Sequence, residues 1–267
     1  MNMETRMAND SILSEKRGPV GLLKINRPKT LNAIDVPTMH ALDAALAAFE
    51  ADDAVRAIVV TGAGERAFVA GGDIADLDSR RGLPHYEQFA EVIHRLFTRF
   101  DNCDKPTLGA INGWALGGGT ELLLALDIRL VAEEAKLGLP EITLGLIPGG
   151  GGTQRLIRQI PLCRAKELMF TGDQISAAEA VALGLCNRTV PRAKLLDETL
   201  ALATRIAEKS PLVLKLLKRT LRQGLEMPLP AALAHEQAMI GLVLDSNDAH
   251  EGCRAFLEKR KAGFKGT

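Results

Sequence analysis

The chain is poor in aromatic residues, with one Trp, one Tyr and eight Phe among 267 residues, and it carries no excess charge: 33 basic side chains face 33 acidic ones. Such a chain lacks the basic surface and interleaved aromatics of a nucleic-acid binder, and it has no general attraction for an anionic membrane. Cysteine is also scarce. Cys103, Cys163, Cys186 and Cys253 are widely and irregularly spaced with no CxxC. That argues against a disulfide scaffold or a zinc cluster and fits a reducing, cytoplasmic setting. No apolar run approaches the ~20 residues a membrane span needs. The first 18 residues contain acids and no greasy core, unlike a secretory signal or a transit peptide.

Several catalytic motifs are missing as well. His235-Glu236 has no second His at position 239, where Met239 stands, so the zinc-protease helix pattern is absent. The run GGGGTQR (149–155) lacks the Gly-Lys-Ser/Thr of a P-loop, and GAGERA (62–67) is no dinucleotide fingerprint. There is no GxSxG elbow and no cysteine with a histidine near it in sequence, which leaves covalent acyl transfer without a nucleophile.

What is present is an alternation of short β-branched runs and helical patterns. VGLLKIN (20–26) and AIVVTG (57–62) read as strands around a helix through MHALDAALAAFEADD. A helix is expected from Asp73, a long one through HYEQFAEVIHRLFTRFDNC, and then the apolar segment PTLGAING (106–113). This alternation predicts an α/β fold with buried sheets. From about residue 160 the spacing is almost entirely helical, and that part either covers its own core or packs on another subunit. Three regions are expected: an N-terminal extension over 1–17, a core domain over 18–200 and a helical C-terminal region over 201–267.

Two glycine-bearing corners stand out. AGGDIADL (70–77) puts Gly71 and Gly72 before Asp73, a good N-cap, and ALGGGTELLLAL (115–126) puts Gly117, Gly118 and Gly119 at the mouth of a helix. Each is either a tight turn or a place where backbone N–H groups meet a ligand's negative oxygen; a pair of such donors stabilises an oxyanion by roughly 3 to 4 kcal/mol each. Glu121 serves its own helix dipole or does chemistry. Glu141 follows Pro140 at the end of an expected strand, in surroundings so apolar that a carboxylate there is costly without a purpose or a partner. Two carboxyls in a desolvated pocket can have pKa values pushed up and apart, so that one gives a proton while the other accepts one.

With these residues in view, the sequence resembles the crotonase, or enoyl-CoA hydratase/isomerase, superfamily. The matching blocks are NRPKTLNAID (26–35), RAFVAGGDIADL (66–77), KPTLGAINGWALGGGTELLLALDIRL (105–130), AKLGLPEITLGLIPGGGGTQRL (135–156) and EGCRAFLEKRKAGFKG (251–266). The resemblance implies repeated ββα units forming two roughly perpendicular sheets wrapped by helices, with a helical C-terminal trimerisation region. It implies an acyl-CoA thioester substrate whose carbonyl lies between the N–H groups of Gly72 and Gly118, and syn hydration of a 2-enoyl-CoA by Glu121 and Glu141. Gly149 corresponds to a position whose N–H helps hold the second glutamate or the water.

Coenzyme A is expected along Lys29 and Leu31, with adenine against Ala70, Asp73 and Ile74, and with Pro140 beside the thioester end. Trp114 either borders the acyl pocket or is a plain core residue. Members of the family are commonly trimers or dimers of trimers, so Phe256 and Lys259 are candidates for a neighbour's CoA site, although Lys259 reads equally as part of a solvated basic tail. No cofactor is expected beyond the coenzyme A of the substrate, no metal, no membrane and no nucleic acid. The alternatives are a 3,2-enoyl-CoA isomerase in which Glu141 alone moves protons, a methylglutaconyl-CoA hydratase, and an RNA-binding relative using KLLKRTLRQG (215–224).

Overall fold

A computed structural model describes residues 11–267. The larger of two sheets has six strands: β1 (Ile12–Arg17), β2 (Val20–Ile25), β3 (Ala57–Gly62), β5 (Thr107–Ile111), β7 (Ile128–Ala132) and β10 (Arg188–Val190), in the order β1-β2-β3-β5-β7-β10. All neighbours are parallel except β1, which pairs antiparallel with β2. Every residue of β3 and β5 is buried, which is why their text is continuously small and apolar rather than alternating. β1 is the reverse case. Its ILSEKR text leaves five of six residues exposed, and a charged edge of that kind resists pairing with another sheet.

The second sheet runs β4 (Ala67–Val69), β6 (Trp114–Leu116), β8 (Lys136–Gly138) and β9 (Gln174–Ser176), parallel except for the last pair. Its strands are three residues long, and they bring the ends of several loops to one place.

The helices are α1 (Val36–Ala51), α2 (Ile74–Asp78), α3 (Leu83–His85), α4 (Glu91–Asn102), α5 (Gly118–Leu124), α6 (Gly152–Leu156), α7 (Leu162–Thr171), α8 (Ala177–Ala182), α9 (Arg192–Ala207), α10 (Pro211–Gly224), α11 (Leu229–Leu244) and α12 (Asn247–Leu257). Side-chain caps fix several starts: Asp35 accepts from the N–H of Thr38, Ser176 from that of Glu179, Ser210 from that of Val213 and Ser246 from that of Ala249. Leu42, Leu46 and Phe49 of α1 and Leu96, Phe97 and Phe100 of α4 enter the core.

Four features differ from the sequence expectations. Strand β1 lies within 1–17, which sequence set apart as an extension; residues 1–10 of that stretch fall outside the described residues. The boundary at 200 falls inside α9, which runs unbroken to Ala207. The long helix expected through 85–103 is interrupted by a π turn at Tyr86–Ala90 before α4 begins. Finally, Glu141 sits in a 3-10 turn, Pro140–Leu144, just beyond β8 rather than on a strand.

The C-terminal helices α10 and α11 bury no residue within the chain. Leu217, Leu221, Leu229 and Leu233 are among the apolar side chains they leave exposed, as is Leu225 just past α10. Among the described residues no helix is long and apolar enough to cross a membrane.

Candidate active site

The three glycines before α5 do three separate jobs. Gly117 has φ +50°, and a Cβ there would stand 3.0 Å from Glu141 Oε1, so both its conformation and its neighbour select glycine. Gly119 lets α5 press on β4, because a Cβ would come within 2.0 Å of the Val69 carbonyl oxygen. Gly118 opens the helix beside Gly72; a Cβ on it would lie 3.6 Å from the Gly72 nitrogen.

Gly72 is oriented by an isolated parallel bridge to Ile34. The Ile34 N–H donates to the Gly71 carbonyl at 2.9 Å, and the Asp73 N–H donates to the Ile34 carbonyl at 2.9 Å. In that pattern the N–H of the residue between points away from the bridge, so Gly72 directs its donor elsewhere. Among the described residues neither the Gly72 nor the Gly118 N–H donates to a protein group.

Both N–H-bearing glycines line a cavity of about 170 Å³ together with Glu121, Glu141, Leu77, Phe89 and Ile93. Larger clefts lie elsewhere, one of about 690 Å³ over Lys24 and Arg192 and one of about 530 Å³ over Asp101 and Leu221, but neither is lined by Gly72, Gly118, Glu121 or Glu141. The apolar side chains Leu146 and Ile147 close another wall of the small cavity.

The two glutamates have unlike surroundings. Glu121 is only 2 % exposed, and its Oε1 accepts from the N–H groups of Gly150 at 2.7 Å and Gly152 at 2.8 Å. Burial pushes its pKa up, while the Gly152 and Gly150 amides and the Arg155 guanidinium favour the ionised form. Glu141 has no such pair of loop amides, only its own backbone N–H. Its Oε2 is buried without a hydrogen-bond partner, and burial raises its pKa to about 7, opposed by its own backbone N–H and reinforced by the charge of Glu121. Burial thus draws both carboxyls toward the protonated form, opposed at Glu121 by two amides and a guanidinium and at Glu141 only by its own backbone N–H, an arrangement that can set a proton donor beside a proton acceptor.

Known proteins resemble the chain in both sequence and fold. The profile of the family described as enoyl-CoA hydratase/isomerase matches residues 15–267. The chain belongs to the enoyl-CoA hydratase/isomerase family. It is 38 % identical over 260 residues to the short-chain-enoyl-CoA hydratase of Clostridium acetobutylicum, covering 97 % of this chain and 99 % of that one. It is 40 % identical over 258 residues to the crotonyl-CoA hydratase of Syntrophomonas wolfei, again covering 97 % and 99 %. The crystal structure of an enoyl-CoA hydratase from Bacillus anthracis superposes with a TM-score of 0.92 at 36 % identity, covering 96 % of this chain and all of that one.

Within this hydratase/isomerase fold the remaining sequence-derived positions separate into three groups. Leu31, Ala70, Asp73 and Ile74 run along one edge beside Gly72: the Ala70 N–H donates to the Leu31 carbonyl at 3.1 Å, and Ile74 is 54 % exposed there. Lys29 is exposed in the adjoining turn Pro28–Thr30. Asp73 is already engaged, since it caps α2 and pairs with Arg27 at 3.0 Å, which holds its carboxyl below the ordinary range against the effect of burial. Pro140 opens the turn that carries Glu141.

Gly149, Trp114, Phe256 and Lys259 have other settings. Gly149 lines the cavity beside both carboxyls; the amides on Glu121 belong to its neighbours Gly150 and Gly152, because the turn's left-handed Gly151 (φ +104°) aims the flanking N–H groups inward. Trp114 is neither cavity wall nor core. It is 37 % exposed, with the Arg66 guanidinium 5.9 Å above its ring, and the cavity lining does not include it. Phe256, 83 % exposed, and Lys259 lie in and just past α12, and the cavity lining includes neither.

The basic run 215–224 is largely committed inside the chain. Lys218 pairs with Asp127, and Lys215 and Arg219 pair with Asp104. Among the described residues no three His, Cys, Asp or Glu side chains cluster as metal ligands would.

Sequence reasoning missed Gly150, Gly152 and the cavity walls Leu77 and Phe89. The four-glycine run was the available signal for the first two, since only glycine tolerates Glu121 this close: a Cβ at Gly150 would be 2.6 Å from Oε2 and one at Gly152 would be 2.9 Å from Oε1. Nothing local marked Leu77 and Phe89.

Proposed function

We propose that the protein adds water reversibly across the Cα=Cβ bond of a short 2-enoyl-CoA thioester, giving a 3-hydroxyacyl-CoA. One observation carries the reading: two carboxyls of unlike surroundings share a single small cavity with two unengaged backbone N–H groups. In this reaction the thioester oxygen lies between the N–H groups of Gly72 and Gly118. The ionised Glu121 takes a proton from water as its oxygen bonds to Cβ, and the protonated Glu141 delivers its proton to Cα. Negative charge that develops on the thioester oxygen meets donors already in place, which is worth more in the transition state than in the ground state.

The cavity volume of about 170 Å³ is close to the roughly 150 Å³ that holds a benzene-sized guest, and its apolar walls suit a short hydrocarbon chain. Coenzyme A then leaves along Pro140, Ala70, Leu31 and Ile74 toward Lys29, with no other cofactor required. The uncovered leucines of α10 and α11 support a trimer or a dimer of trimers, in which Phe256 and Lys259 reach a neighbour's coenzyme A. Four free cysteines fit the reducing conditions of the cytoplasm.

The test is loss of enoyl-thioester absorbance on mixing the protein with crotonyl-CoA, beside Glu121→Gln and Glu141→Gln. Rapid loss that both substitutions reduce by orders of magnitude is expected. If Glu121→Gln keeps most of its activity, proton transfer rests on Glu141 alone and the reading fails.

A further inference from the structure

Four consecutive glycines have no conformational preference that would hold the turn 149–152 against Glu121. Something outside the run must fix it. Arg155, in α6, occupies that position: its Nη1 donates to the Gly150 carbonyl at 3.1 Å, and its Nη2 reaches Thr98 Oγ1 at 3.5 Å and stands 3.8 Å from Asp101 Oδ2. A Cβ at Gly151 would fall 2.1 Å from Nη1, so the guanidinium fills the space a side chain there would take. The backbone completes the clasp. The Gly151 carbonyl accepts from the N–H groups of Gln154 at 3.1 Å and Arg155 at 2.9 Å.

We infer that Arg155 is a positioning residue, which ties the Gly150 peptide to α4 so that the Gly150 and Gly152 N–H groups stay aimed at the Glu121 carboxylate. The inference rests on the hydratase reading, in which Glu121 must be ionised and fixed to receive the proton of water. The same guanidinium favours ionised Glu121 against the burial that opposes it. The charged groups facing this site are Glu141 from the Pro140–Leu144 turn and Arg155 from α6, while Asp101 of α4 faces Arg155 and tempers its charge.

Because α4 also supplies Ile93 to the cavity wall, Arg155 joins the wall that contacts the acyl chain to the turn that holds the base.

The experiment compares wild type, Arg155→Gln and Arg155→Lys in pH profiles of kcat/KM for crotonyl-CoA, with KM, kcat and urea unfolding measured on the same proteins. Arg155→Gln is expected to lower kcat on the order of ten- to a hundredfold with KM near that of wild type. It should also move the acid limb of the profile upward by roughly half a unit or more. Arg155→Lys should restore the acid limb but not kcat, because an ammonium cannot reproduce the fork on Gly150 and Thr98.

A folded Arg155→Gln protein with wild-type kcat and acid limb overturns the inference, as does one altered only in stability. If Arg155→Gln does not fold, Arg155→Lys decides: wild-type kcat there overturns it. If the wild-type protein fails to hydrate crotonyl-CoA, the hydratase reading fails instead. The inference is then read by carboxyl ¹³C NMR: Arg155→Gln must shift the Glu121 titration upward, and an unchanged titration overturns it; if Arg155→Gln does not fold, Arg155→Lys must displace the Glu121 resonance while keeping its titration, and an undisplaced resonance overturns it.

Discussion

Replacing Glu141 by Gln is expected to remove hydration and to remove a loss of stability that the wild type suffers as pH rises. In the folded chain this carboxyl holds its proton to about 7, against an ordinary value of 4.5. Between those two values the folded state binds more protons than the unfolded one, so stability falls as pH rises through the window. The gap from 4.5 to about 7 is equivalent to about 3.4 kcal/mol when fully developed. About 2.5 kcal/mol of that develops between pH 5 and pH 8. Partial exposure of the side chain reduces the figure to about 2 kcal/mol. An amide does not ionise, and whatever its own packing costs is the same at both pH values. Urea unfolding followed by circular dichroism, at pH 5 and pH 8 and at equal protein concentration, isolates the ionisation. The difference between variant and wild type should move in the variant's favour by about 2 kcal/mol across that interval. Parallel pH dependences for the two proteins would refute the buried, orphaned carboxyl on which the mechanism depends.

Three further outcomes follow from the same geometry. The kcat/KM profile for hydration should fall as pH rises through about 7, where Glu141 loses its proton, and the profile for dehydration should superimpose on it, since both directions use the singly protonated pair and consume no net proton. A dehydration rate that keeps rising above that pH would contradict the paired assignment. Gly150→Ala forces a methyl to 2.6 Å from Glu121 Oε2 and 2.9 Å from Phe97, so unfolding measurements should show a loss of about 1 to 3 kcal/mol and turnover should fall at least about tenfold. Gly119→Ala meets the Val69 carbonyl at 2.0 Å, and because backbone cannot rotate away like a side chain, a loss above about 3 kcal/mol and little soluble protein are expected; a soluble, fully active variant would refute the close packing of α5 on β4.

How much of this was legible in the sequence depended on whether a residue's partner lay nearby in the chain. The apolar runs VGLLKI and AIVVTG announced buried parallel strands because their whole environment is hydrophobic, and the glycines before Glu121 announced a corner because glycine's cost needs a local reason. The polar edge strand β1 had no apolar alternation to betray it, and only pairing with β2 makes it a strand. The long pattern through 85–103 kept helical spacing across the π turn at Tyr86–Ala90, where one extra residue per turn leaves the apolar residues usable on either side. Trp114 read equally as an acyl-pocket residue or a core residue, yet the alternation along β6 turns it outward while Ala115 goes inward.

The site itself was half legible for the same reason. Glu121 and Glu141 are separated by nineteen intervening residues, and their chemistry could be read from the oddity of carboxyls among leucines. What could not be read is why the two differ. That difference comes from which amides reach which oxygen, and those amides are set by Gly151's left-handed backbone and by a guanidinium anchored to a helix more than fifty residues earlier in the chain. Burial raises the pKa of both carboxyls, but at Glu121 two N–H groups and a guanidinium oppose it, whereas Glu141 is left with an orphaned oxygen. Division of labour between the acid and the base is therefore a property of the glycine turn and its anchor as much as of the two glutamates.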